Sequence, residues 1–174
     1  MPSSHAPNRT TGVQATGDER DDMVLDTAMV TLHVLTGALW VGSVVFVAGA
    51  VLPAALDGSL DAAPLETLAD RLVYGSRAAS VVMFLTGGHL AGTRYTVELL
   101  AGSGRGHLVL AMLVLWVALA ALVEVGRSRL IAGLREKRVR TPVRESIAVF
   151  RAAAVVGVLL LVDGGLLTAG FAPY

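Results

Sequence analysis

The chain has 174 residues, no cysteine, 14 basic against 14 acidic side chains, and 54% apolar residues with only 16% charged. A soluble domain of this length carries about 25% charged residues, so the balance points to lipid; mean hydropathy is positive. The length allows one compact domain. The lack of cysteine excludes disulfides, thiolate metal sites, iron–sulfur ligation and cysteine nucleophiles, and a formal charge of zero gives a nucleic-acid partner no electrostatic support.

Residues 1–22 are rich in Ser, Thr, Pro, Gly and charge. Such a stretch cannot bury enough apolar surface to offset the entropy of ordering, which predicts a disordered tail ahead of a transmembrane domain over 23–174. The expectation is no signal peptide, because the first apolar run starts only near Met23 and is long enough to span.

Crossing a hydrocarbon core of about 30 Å takes roughly 20 apolar residues in a helix, and four stretches meet that length, about 24–53, 72–97, 107–127 and 147–172. They are apolar on all faces, which argues for helices in lipid, and they lack the period-two alternation of an outer-membrane barrel. Short connections make consecutive helices antiparallel neighbours. The predicted fold class is therefore all-α, an integral membrane up-down four-helix bundle. Arg77 and Arg94 lie near the ends of the second stretch, where arginines snorkel to the headgroups. Pro64 and the Thr141-Pro142 pair predict helix starts on the aqueous side, with Thr141 as an N-cap.

Lys and Arg counts set the expected orientation. Arg71, Arg77, Arg127, Arg129, Arg135, Lys137, Arg138, Arg140, Arg144 and Arg151 fall on one side, against Arg9, Arg20, Arg94 and Arg105 on the other. The basic connection 127–151 is then cytoplasmic, both termini face outward, and the location is the plasma membrane. A weak internal repeat pairs Leu39-Trp40-Val41 with Leu115-Trp116-Val117, and Thr86-Gly87-Gly88 with Asp163-Gly164-Gly165. Duplication of a helical hairpin would give a pseudo-two-fold axis along the membrane normal.

Ionisable groups at membrane depth are costly, so each is a functional candidate. His33 and His89 lie about five residues inside the outer ends of the first two helices, a matched depth of about 7–8 Å, and antiparallel neighbours can bring them together. His107 stands at the outer start of the third helix, at the mouth of the same region, and Asp163 lies deeper. Three imidazoles and a carboxylate suit Cu(II) or Zn(II), and Met83 and Met112 could add thioethers for Cu(I). His33 and His89 could equally be the two axial ligands of a b-type haem. The packing alternative is a histidine hydrogen-bonded across helices, with Thr36 and Thr86 one turn from His33 and His89. Trp40 shares a face with His33, Thr36 and Gly37 by its spacing and should pack inward. Asp163 must be neutralised, protonated or paired. Glu124 is placed to pair with Arg77 or Arg151. No Gly-rich phosphate loop with its Lys, no HExxH and no GxSxG elbow occurs, so nothing favours an enzyme.

The run Leu32-His33-Val34-Leu35-Thr36-Gly37-Ala38-Leu39-Trp40-Val41-Gly42 resembles the first helix of the copper resistance D (CopD) type membrane domain, and His107 through Trp116, running on to Arg127 and Arg129, looks like its later helix with a basic cytoplasmic end. The resemblance implies copper uptake or handling, with His33 as the transferred residue. The first helix is also similar to that of small four-helix membrane proteins of haem biosynthesis that oxidise protoporphyrinogen, which would put His33 against haem or porphyrin. The sequence thus supports three readings: an outward-facing metal site of His33, His89, His107 and Asp163 lined by Trp40, Thr36 and Thr86; a haem-binding redox protein; and an accessory membrane subunit without its own site. The expected partners are the bilayer, the ion or haem, and a second copy or another membrane protein.

Overall fold

The computed structural model describes residues 17–134 and 139–170, and these are helical throughout apart from short turns. The elements in chain order are α1 (Gly17–Phe46), a π-helical turn (Val47–Val51), α2 (Leu52–Asp57), α3 (Ala62–Arg94), α4 (Val97–Gly102), α5 (Gly104–Leu134) and α6 (Arg140–Thr168).

Of the expected tail, residues 1–16 lie outside the described residues, while 17–22 belong to α1. Their run of Asp and Glu favours the positive N-terminal end of a helix, and the apolar helix behind them has already formed the costly nucleus. The first expected span continues through the π turn into α2. Pro53 has no N–H for the ladder and its ring would strike a carbonyl in the preceding turn; one wider turn absorbs this, and the Leu52 N–H bonds the Val47 carbonyl five residues back. Gly58, at φ 84°, then closes α2 in the left-handed region. Thr141 does not cap α6, because the helix starts at Arg140 and leaves Thr141 inside its first turn.

Three segments are long and apolar enough to cross a membrane: Glu19–Asp57, Gly104–Gly133 and Arg140–Thr168. The remaining long helix, α3, has 33 residues but carries Glu66, Asp70, Arg71, Arg77, His89 and Arg94 and falls short in apolarity. Apolar side chains point outward as well as inward. Leu39 is 72% exposed and Val114 67%, and only 11% of the most apolar stretch of α5 is buried. Exposed apolar surface on this scale marks a face meant for something other than water.

The long helices run antiparallel to their chain neighbours, and α5 and α6 share the most extensive seam. Small residues set the spacing. A Cβ on Gly126 would stand 2.9 Å from the buried Phe150 ring, one on Gly133 2.5 Å from Pro142, and one on Gly157 3.0 Å from Val41 of α1. Gly133→Ala forces a methyl into the rigid proline ring, so a cost of about 1–3 kcal/mol is expected, read as a lower melting temperature in detergent. Gly88→Ala, with nothing within 4 Å, should instead gain a few tenths to about 1 kcal/mol from helix propensity.

Ion pairs ring the helices at two heights. Asp26 of α1 meets Arg94 of α3 at 2.6 Å, while toward the opposite end Arg77 of α3 meets Glu124 of α5 at 2.5 Å and Asp70 meets Arg127 at 3.0 Å. Arg77 and Arg94 lie about 26 Å apart along α3 at the helical rise. The second group is on the side where α5 leads into α6, hereafter the basic end. The expected partnership of Glu124 with Arg77 is therefore present.

Candidate functional site

The site begins on the facing sides of α1 and α3. The imidazole of His33 lies against Gly87, with Cε1 only 3.0 Å from where a Cβ would be, and Gly37 receives Met83 in the same way one turn on. His33 Nδ1 is 2.7 Å from Thr86 Oγ1, and that hydroxyl is also 2.7 Å from the Val82 carbonyl. A carbonyl can only accept, so the single hydroxyl proton of Thr86 goes to Val82 and its oxygen accepts from His33 Nδ1–H. The neutral ring then carries its lone pair on Nε2. A ring fixed through one nitrogen with the other left basic is the arrangement by which proteins orient a ligating histidine.

Asp163 comes to the same height from the opposite side. Gly157 faces Val41, so six residues later α6 reaches about the level of Leu35; on its other flank Gly164 faces Met112 of α5 at 3.5 Å. Each of the four long helices thus contributes a potential donor within about one helical turn of a common level: His33, Met83, Met112 and Asp163. Met83 and Asp163 are buried, and Met112 packs against the core. Among the described residues, Asp163 Oδ2 has no hydrogen-bond partner and neither has Trp116 Nε1, which lies one turn from Met112. A buried carboxylate oxygen without a donor is expensive, and no ion pair among the described residues relieves it.

The remaining residues of the expected site separate from this layer. His89 is half-buried one turn farther out on α3 and makes no side-chain hydrogen bond among the described residues. His107 is exposed, and its Nε2–H donates to the Ala101 carbonyl at 3.0 Å. It braces the corner between α4 and α5, where Gly106 lies tight against the Leu99 and Leu100 carbonyls. Thr96 caps α4 by accepting from Leu99 N–H, and hydrogen bonds from backbone and Thr96 hold the Glu98 carboxyl below its usual range. Trp40 is buried and donates to Ser76 at 2.8 Å, nearer the basic end, which makes it a structural tie between α1 and α3. Thr36 is half-buried and lines a cleft of about 340 Å³ beside that tie.

No group of three or more His, Asp and Glu gathers among the described residues, so the four-residue metal set read from the sequence does not assemble as a unit. The two sulfurs are what sequence reasoning left on the margin. Their height was available from residue counting; the signal that would have promoted them is their facing glycines, Gly37 and Gly164. A porphyrin between His33 and α3 finds its space taken, since the imidazole already touches the Gly87 backbone region and bonds Thr86. Compared with family models, curated proteins and solved structures, the chain matches none.

Proposed function

We propose that this is a multi-pass integral membrane protein, an up-down bundle of four long helices, that binds or passes a copper-like metal ion at the layer of His33, Met83, Met112 and Asp163. The observation that carries the reading is the buried Asp163 carboxylate with an unpartnered oxygen, level with a histidine whose free nitrogen is the basic one. Imidazole and thioether donors suit copper, and the likeness of the Leu32–Gly42 run to the CopD-type first helix points the same way. Asp163 supplies the charge that holds a cation in an apolar interior, and His89, farther out on α3, lies on the approach. His107 serves the fold and is left out of the site.

The ion pairs at two heights, one pair outward and two at the basic end, support insertion, because they bracket an apolar band close to the hydrocarbon thickness of about 30 Å. They also account for α3 as the fourth span: Arg77 and Arg94 of its membrane part are both neutralised by carboxylates from neighbouring helices. The excess of Lys and Arg puts the basic end in the cytoplasm and both termini outside the plasma membrane. Because the chain has no cysteine, single cysteines report topology directly. Ser103→Cys should react with an impermeant maleimide on intact cells, and Ser59→Cys only after lysis; the reverse pattern would overturn the orientation.

The metal is tested on detergent-purified protein by elemental analysis and a visible spectrum. Stoichiometric copper that is lost in His33→Ala and kept in His107→Ala is the expected result. A Soret band abolished by His33→Ala and His89→Ala would replace copper with haem. Neither signal would leave an accessory subunit, whose His33 merely ties α1 to α3.

A further inference from the structure

We propose that the cleft between α1 and α6 near the basic end seats an anionic phospholipid, a reading that rests on membrane insertion but not on the metal. The cleft encloses about 390 Å³. Val45, Ala48 and Pro53 form one wall and Ala154 and Val155 the other, with Gly49 between them and Arg151 as the one charged lining residue. A wall of this composition accepts an acyl chain; the guanidinium beside it accepts a phosphate, to which arginine bonds in a fixed two-pronged geometry.

Among the described arginines of this end, Arg151 is the one that lines the cleft. Arg77, Arg94 and Arg127 each hold a carboxylate of a neighbouring helix. Arg151 has no carboxylate among the described residues, and neither has Arg144, two turns earlier on the same stripe of α6; both are exposed. An arginine at the edge of an apolar band favours a counter-charge, and a lipid phosphate at the headgroup level supplies one. The π turn then has a second consequence. It places Gly49 in the cleft with nothing within 4 Å of its missing Cβ, so the space is open for a ligand and can be filled by a side chain without a clash at Cβ.

The test is native mass spectrometry of the full chain taken from mixed micelles of equal phosphatidylglycerol and phosphatidylcholine. The wild type should keep phosphatidylglycerol in preference. Arg151→Gln should lower that retention about tenfold, the loss of a charge-assisted hydrogen bond. Gly49→Leu should lower it by filling the cleft with every arginine left in place. Arg129→Gln, an exposed arginine of the same end that does not line the cleft, should keep it. Equal retention of both lipids, equal loss in Arg129→Gln, or full retention in Gly49→Leu would each overturn the proposal, the second by showing only diffuse attraction to a basic surface. Extraction of the chain without detergent would overturn membrane insertion itself, and the cleft reading with it.

Discussion

Asp163→Leu is expected to give a protein that binds no metal and is more stable than the metal-free wild type. A buried carboxylate with one oxygen unpartnered carries a desolvation cost of about 1–3 kcal/mol or more. Leucine has the same branched four-atom skeleton without a polar atom, and Leu160, one turn earlier on α6, is an apolar side chain already buried there. Replacing an unsatisfied buried group by an apolar one of like shape removes that cost. The apparent melting temperature in detergent should therefore rise above that of the metal-free wild type, while metal retained after purification should fall to background. Asp163→Asn separates the two effects: it keeps the shape and a polar head but lacks the charge, so the metal should be lost with little change in melting temperature. A fall in stability in Asp163→Leu would mean that the carboxyl holds helices together, and it would remove the main support for a site. Retention of metal in Asp163→Asn would exclude the carboxylate as a ligand.

The parts of this fold that lipid dictates were legible from composition, and the parts set by rotation were not. Uninterrupted apolar runs marked α1, α5 and α6, because a spanning helix must satisfy its backbone internally and present apolar side chains all round. That same uniformity erases the periodicity that would say which face looks inward. Counting residues gave His33 and His89 their matched heights, but the rotation of α3 turns Thr86, not His89, toward His33. The same counting put Asp163 deeper than His33, and only the contact of Gly157 with Val41 brings it to about the level of Leu35; no pattern disclosed that Met83 and Met112 point at glycines of neighbouring helices. The short α4 escaped notice for another reason: six residues contain no full amphipathic repeat, and its stability comes from the Thr96 cap and the corner made with His107. The π turn followed from Pro53 inside an apolar run, a break whose form depends on how the backbone relaxes.

The largest effect expected away from the carboxylate comes from Thr86, a positioning residue that touches no ligand in this scheme. Its hydroxyl accepts from His33 Nδ1–H because its own proton is committed to the Val82 carbonyl. Thr86→Val keeps the shape and deletes the acceptor, leaving the imidazole free to change tautomer and without the hydrogen bond that fixes its orientation. Loss of such an orienting partner typically lowers metal affinity by about 10- to 100-fold. Thr86→Ser restores the oxygen and should recover most of the affinity, since serine makes the same back-bond to the preceding turn. A role limited to packing would give the opposite order, with Val close to the wild type in volume and Ser the poorer substitute. The measurement is a copper competition titration on the three proteins with melting temperature read in parallel. Affinity that follows the hydroxyl assigns Thr86 to the orientation of His33, and affinity that follows volume would reduce the His33–Thr86 bond to a tie between two helices.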